Sequence, residues 1–412
     1  MLNKDKIREL AYLVAIDSIE PITGSDNCEA AVVGGWRVMV RKGTFKPGDL
    51  AIYFEIDSQV PATEPFAFLA SKHYKVKSQR YTFGGRGLMI SQGLLMAPED
   101  LGFSVVSDTA DRMIVDQYMN NHTVEDESRF LTKELGVTYA TPEDRKRKAA
   151  PADKYKVMIQ RHPKLFKNPF IKHLMKKSWG KKLLFFFFGR KKVAETSFPT
   201  KFPYVKITDE ERVENMPWVL QDKRKLLATE KLDGTSTTYI LERKGKKKFE
   251  FYVVSRRVRQ LTPNQKCYHD DNIYWNMAFK YNVEQHLKDY LLKNPNLTYV
   301  CLQGESVGSV QGNPLKLTED DFYGYNFIRS DIGRISSLEG KKILESWGMK
   351  WVPIVNMNWI NPDTMDEMKK LATGKSLINP NVYREGLVYR DTNDNNFSFK
   401  NVSNEFLLSK KG

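Results

Sequence analysis

A lysine, an aspartate and a glycine stand together in ATEKLDGTS, residues 228–236, as Lys231-Leu232-Asp233-Gly234. A lysine amine is a nucleophile only when neutral, and with a reference pKa of about 10.4 only on the order of one in a thousand is neutral near physiological pH. Burial and neighbouring cations lower that pKa, and a glycine lets the backbone turn tightly beside a substrate. One such tetrad is weak on its own, since ordinary composition yields one in roughly one chain in ten of this length. Its company is more informative. Downstream, in order, come SRR (255–257), LQGE (302–305), FYGYNF (322–327), EGLVYR (385–390) and SFKNVS (398–403).

In that order the segments resemble motifs I, Ia, III, IIIa, IV and V of the covalent nucleotidyltransferase superfamily of ATP-dependent ligases and capping enzymes. The stretches FPYVKITDEERVENMP (202–217) and GDLAIYFEIDSQVP (48–61) are similar to a subgroup of ATP-dependent RNA ligases that carries an OB-type domain before the catalytic domain. The resemblance spans most of residues 1–105 and 200–412 and leaves the middle of the chain uncovered.

The resemblance implies a set of roles. Lys231 resembles the nucleophile that takes AMP from ATP, with Leu232, Asp233 and Gly234 completing its motif. Glu305 resembles the motif III acid near the AMP ribose, and Glu385 the motif IV carboxylate that holds metal through its water shell; both are expected metal-site residues. Magnesium, or manganese in its place, suits such a site because it keeps several waters and binds through few carboxylates. Tyr325 takes the place of the aromatic that stacks on adenine. Arg256 matches the arginine near the ribose and the end being joined, Arg212 an upstream phosphate contact, and Lys400 the lysine on the α-phosphate. Lys400 and the metal are also the cations expected to lower the Lys231 pKa and to stabilise the phosphate charge that develops during displacement. Two departures stand out. Motif V offers one lysine where relatives often have Lys-x-Lys, and Tyr325-Asn326 replaces Phe-Asp.

The implied function is sealing of RNA 3′-OH and 5′-phosphate ends through a lysyl-AMP and an adenylylated 5′ end. RNA is the expected partner, as a nicked duplex or broken strands, and a 2′-OH contact would enforce the choice over DNA. DNA ligation or capping uses an OB domain after motif V, and the 12 residues beyond Lys400 leave no room for one. An RNA-binding protein on an inactive ligase scaffold is the other alternative, against which the intact Lys231, Glu305, Glu385 and Lys400 count.

These residues need elements to position them. Residues 1–105 read as short strands broken by glycine and proline, a small closed β-structure of barrel or OB type with no dominant helix period. Residues 106–195 read as a basic connector or insertion, with VEDESRFLTKELG (124–136) as a helical piece. Residues 196–412 read as a larger α+β domain. Its expected strands are TSTTYILER, FEFYVVSRR, LTYVCLQGE, FYGYNFI, EGLVYR and NFSFKNVS, and its expected helices NVEQHLKDYLLK and SSLEGKKILESWG. The resemblance gives it an ATP-grasp-like plan of antiparallel sheets with helices.

The 412 residues suffice for two or three domains, and a composition 41% hydrophobic and 28% charged excludes a largely disordered chain. The longest purely apolar run, residues 183–188, is far short of the roughly 20 residues needed to span a bilayer, so no membrane association is expected. Cys28, Cys267 and Cys301 are too few and too spread for a disulfide framework. With no secretory leader, a cytoplasmic monomer is expected.

The net charge of +15 is concentrated. Residues 145–192 hold 17 lysines or arginines against one acid, Asp153, a net +16. Trp179 and several phenylalanines are interleaved, so a solvated linker, a polynucleotide contact and a membrane-surface contact all remain open for this segment.

Three further patterns are declined. DTNDNN (391–396) lacks the glycine and distal glutamate of a calcium loop and is expected to be a hairpin loop. Cys267, His269, Asp270 and Asp271 lack a second ligand pair, and FGGRG (83–87) lacks the lysine of a P-loop.

Overall fold

A computed structural model describes residues 1–3, 5, 7–83, 87–103, 129–139, 165, 168–189, 202, 205, 209–256, 259–260 and 272–409. The N-terminal part is built from β1 (Ala11–Ala15), β2 (Ser18–Pro21), β3 (Cys28–Val33), β4 (Trp36–Arg41), β5 (Leu50–Phe54), β6 (Ser58–Gln59), β7 (Gln79–Phe83), β8 (Gly87–Ser91) and β9 (Leu94–Met96). They pair antiparallel as β1-β5-β9, β2-β3-β4 and β7-β8. Alternation explains the assembly. On β4, Trp36, Val38 and Val40 are buried on one face, while Met39 on the other packs half-buried against a second small core of Ile22, Ala30 and Met89. The partners of Trp36, Val38 and Val40 in their core include Tyr12, Ala31, Val33 and Tyr53, and Trp36 stacks on Tyr53 at 6.1 Å between centroids. Two helical elements stand among the described strands, the shorter a 3-10 helix at Pro98–Leu101. Glu64–Lys72 is a 3-10 helix opened by Pro65, and its Phe66 and Leu69, three residues apart, both reach the barrel core.

Residues 129–139 correct a second expectation. The described part of the anticipated helix, 129–136, forms turns instead. It is recruited by the barrel. Leu131 N donates to Ala11 O at 2.9 Å, Thr132 Oγ1 accepts from Leu10 N at 2.8 Å, and Leu131 and Val137 bury among Leu10, Leu13 and Phe54. The segment ends in β10 (Thr138–Tyr139), antiparallel to β6. Satisfying the edge of β1 outweighs local helix propensity. Beyond it, α1 (Pro169–Lys176) and α2 (Ser178–Leu184) form a short helical pair.

The C-terminal part contains β11 (Glu211–Arg212), β12 (Leu226–Lys231), β13 (Thr235–Arg243), β14 (Phe249–Ser255), β15 (Arg259–Gln260), α3 (Ile273–Lys280), α4 (Val283–Lys293), β16 (Tyr299–Val307), β17 (Asp321–Arg329), β18 (Gly333–Arg334), α5 (Ser337–Ser346), β19 (Lys350–Trp351), β20 (Ile354–Trp359), α6 (Met365–Ala372), β21 (Gly386–Asp391), β22 (Ser398–Val402) and α7 (Asn404–Ser409). Two sheets result, a five-stranded one ordered β11-β22-β21-β12-β20 and a larger one ordered β15-β14-β13-β16-β17-β18 with β19 beside β17. Helices cover the larger sheet. On α4, Val283, Leu287 and Leu291 recur every four residues and are fully buried against Tyr239, Leu241, Val300 and Leu302. The segment 391–396 is the hairpin loop between β21 and β22, as expected.

The two parts of the molecule pack together. Gly35 adopts φ +85°, and a side chain there would meet Met365 Cγ at 2.7 Å, so the barrel's β3–β4 turn lies directly on α6. Leu2 N donates to Asn215 O at 2.9 Å, and Arg80 Nη2 donates to Leu407 O at 2.6 Å.

Candidate active site

The chain crosses from one sheet to the other at Leu232-Asp233-Gly234. Lys231 ends β12, where it pairs with Gly386 of β21, and β13 begins at Thr235 opposite Ser306 of β16. Gly234 is required by this crossing. A Cβ there would stand 2.3 Å from Ser306 O and 3.1 Å from Glu305 Cγ, so only hydrogen fits between the turn and β16. Leu232 anchors the turn by burying in the core beneath the larger sheet.

Between the sheets lies a cleft of about 380 Å³, lined by Lys231, Gly234, Glu305, Tyr325, Arg256 and Lys400, among others. Lys231 Nζ is 2.7 Å from Glu385 Oε2 at the start of β21. Burial opposes the lysine charge, but Glu385, Glu305 and Asp233 outweigh it and hold the pKa above the ordinary lysine value. The sequence led to the opposite expectation, a lowered pKa. The difference has a physical cause: Glu385 contacts the amine directly, whereas Lys400 is itself committed to Asp209 at 2.8 Å. Glu305 faces Ser236 on β13, and burial, Glu385 and Asp233 push its carboxyl up to about 8, offset in part by Lys231. Three acids share one lysine here. The oxygens of Glu385 and Glu305 are donors of the kind a hard divalent cation such as magnesium or manganese takes, few in number and supplemented by water.

At the opposite wall, Lys400 on β22 and Arg256 beyond β14 both reach Asp209. Burial lowers the Lys400 pKa despite that partner, whereas Lys400, Arg256 and Lys231 hold Asp209 below the usual carboxylate range against its own burial. Tyr325 lies on β17 with its hydroxyl 3.2 Å from Ser236 Oγ. The Arg390 guanidinium lies 5.9 Å from the Tyr325 ring centroid and donates to Asn326 Oδ1 at 2.7 Å, while Asn326 Nδ2 donates to Gln303 Oε1 at 3.0 Å. The Tyr-Asn departure therefore leaves an acceptor for Arg390 where relatives carry an acid.

Of the residues singled out in the sequence, Lys231, Leu232, Gly234, Glu305, Tyr325, Arg256 and Lys400 line the cleft, and Asp233 and Glu385 adjoin Lys231. Arg212 is not among the lining residues. Its strand pairs with Lys400 in register, but its guanidinium sits 5.4 Å over the Trp36 ring of the barrel and 4.0 Å from Glu214. Asp209 and Arg390 were missed. Arg390 stands within a quoted motif, and nothing local marks Asp209. Cys267, His269, Asp270 and Asp271 lie outside the described residues, as do residues 84–86 of FGGRG; among the described residues no three or more potential metal ligands cluster together.

Residues 224–402 match a family model for RNA ligase, and residues 10–97 match one for an OB-fold domain. No curated protein sequence matches the chain. Among solved structures, a glutamate-to-alanine mutant of the Naegleria gruberi RNA ligase with ATP and Mn is 25% identical over 98% of this chain and 100% of that one, with a TM-score of 0.58. A lysine-to-alanine mutant in its apo form is 25% identical over 97% and 98%, TM-score 0.59, and the enzyme with PPi is 25% identical over 97% and 98%, TM-score 0.57. An OB-fold barrel ahead of two sheets that enclose a lysine-bearing cleft defines a ligase with nucleotidyltransferase-type ATP binding. Within that class the chain is similar to the ATP-dependent RNA ligases that carry an N-terminal OB-fold domain.

Proposed function

We propose that the enzyme joins RNA 3′-OH and 5′-phosphate ends through a covalent AMP on Lys231. The observation that carries this reading is the position of Lys231 Nζ at the crossing between the sheets, with Glu385 at 2.7 Å and Lys400 across the same cleft.

In the first step the Lys231 nitrogen bonds to the α-phosphorus of ATP, the bond to the bridging oxygen breaks, pyrophosphate leaves and the amine releases its proton to solvent. A 5′-phosphate oxygen then attacks the adenylyl phosphorus and the lysine leaves as the amine. Finally the 3′-OH attacks the activated 5′-phosphorus, and AMP departs. Tyr325 would stack on adenine, Glu305 would face the ribose, and Lys400 and Arg256 would turn from Asp209 to the phosphates. For Arg256 that exchange is inexpensive, since both partners are about half exposed and such an ion pair contributes little, about 0–1 kcal/mol. A divalent metal held by Glu385 and Glu305 would draw negative charge away from Lys231, lower its pKa and neutralise phosphate charge. The division of labour we infer is an OB-fold unit (1–105) that contacts RNA, a connector (106–195) and an adenylation unit (196–412).

Sealing of a 5′-phosphate nick with ribose or deoxyribose on the 3′-OH side tests the substrate class. The ribose nick should be sealed at least about tenfold faster, the scale of one buried hydroxyl contact. Equal rates contradict an RNA preference. Formation of the AMP adduct without sealing of any nick contradicts end joining.

A further inference from the structure

The basic segment is not absorbed by the active site, and its described part has a definite shape. Trp179, Leu183, Phe186 and Phe187 follow one another at helical spacing along α2 and the π-helical turn Phe185–Gly189 that extends it. These side chains are 57%, 43%, 56% and 66% exposed. The opposite side of the same helix is satisfied internally. Leu184 is buried and packs with Leu165, Ile171, Leu174, Met175, Phe185 and Phe188, and Gly180 allows close contact, since a Cβ there would lie 2.2 Å from Leu174 O. The pair thus has its own small core, and the stripe stays largely exposed outside it, with the Phe186 and Phe187 rings edge to face at 5.3 Å between centroids. A contiguous apolar patch of this size on a surface marks an interaction site.

Charge and ring chemistry indicate the occupant. The stripe sits within the 48 residues that hold a net +16, and Lys177 and Lys182 are exposed beside it. A polyanion is the complementary partner, and RNA is the polyanion the enzyme's activity brings to it. Three of the four exposed side chains are aromatic, which gives bases faces to stack on without regard to sequence. Trp179 and Phe187 are eight residues apart, about 12 Å along a helix, a length that accommodates a few nucleotides of single strand.

We propose that the α1–α2 pair is an accessory docking surface for single-stranded RNA, with bases stacked on Trp179, Phe186 and Phe187 and phosphates held by Lys177 and Lys182. The proposal rests on the chain acting on RNA but not on the chemistry at Lys231. It serves to retain a broken strand on the enzyme after one end dissociates from the cleft.

Binding of a labelled single-stranded oligouridylate to the full chain, followed by anisotropy across a salt series, tests it. Trp179→Ala with Phe187→Ala should weaken binding by at least about tenfold, given that each stacked base contributes on the order of 1–3 kcal/mol, and should leave the salt slope unchanged. Lys177→Gln with Lys182→Gln should instead reduce the slope by roughly 1.4, two single-strand phosphate contacts at about 0.7 each. Trp179→Phe should retain affinity. The AMP adduct should form normally in every variant, so a failure here is distinguishable from a failure of the ligase mechanism. RNA affinity within twofold of wild type for both double variants overturns the proposal. Retention on phosphatidylglycerol vesicles, lost in the aromatic variant while RNA binding persists, overturns it in favour of a lipid surface.

Discussion

Lys231, the nucleophile of the mechanism proposed above, is restrained by its own site. Glu385 at 2.7 Å, helped by Asp233, keeps the amine protonated at neutral pH, a form that has no lone pair to offer. Substitution of Glu385 therefore has two opposed effects. Loss of the carboxylate lowers the amine pKa and favours attack, while loss of a metal-site acid disfavours it. Under the mechanism proposed above the second effect wins, and Glu385→Ala should slow adduct formation at saturating ATP by on the order of a hundredfold. A faster adduct in mass-resolved time courses would show that Glu385 only restrains the amine. The residues legible in the sequence here were those within short motifs that the crossing between sheets brings together. Asp209 was not legible, because its significance comes only from its approach to Lys400 and Arg256.

At the scale of elements, strands and helices with a clean period were readable. TSTTYILER is β13 residue for residue, and the apolar spacing of α4 survives as its buried face. Elements without a period were not. In α3, Ile273, Trp275, Met277 and Ala278 are buried and Tyr274 packs against the same core, so the apolar residues form no single stripe. In α6 a lysine is buried: Lys369 Nζ donates to Glu214 Oε1 and Val402 O, each at 2.7 Å. No local pattern announces such a pair. It joins the helix under the barrel turn to the strand that carries Lys400. Against the cost of burial, Lys369 and Arg212 hold the Glu214 carboxyl below its ordinary range. That contribution is present at neutral pH and lost as pH falls through the depressed folded-state pKa. Lys369→Ala should destabilise the protein by about 3 kcal/mol or more in denaturant melts at neutral pH, because it strands a buried carboxylate. The deficit should shrink at acidic pH, where Glu214 is protonated; a deficit independent of pH would mean that packing, not charge, is what Lys369 supplies.

The whole molecule places an OB-fold barrel against a two-sheet ligase domain, joined by contacts that the sequence assigned elsewhere. Arg212, expected on a phosphate, instead spans the junction between Trp36 and Glu214. Strand pairing of Arg212 with Lys400 ties that junction to the cleft wall, so domain packing and site geometry share one sheet. The function proposed above turns on a single covalent event. Intact-mass measurement of the full chain after incubation with ATP and magnesium or manganese tests it most directly. The expected result is a single added AMP that survives denaturation, is absent in Lys231→Ala, and disappears from the wild type when a 5′-phosphorylated RNA is supplied. No adduct on the wild-type chain, or an adduct undiminished in Lys231→Ala, would contradict the account.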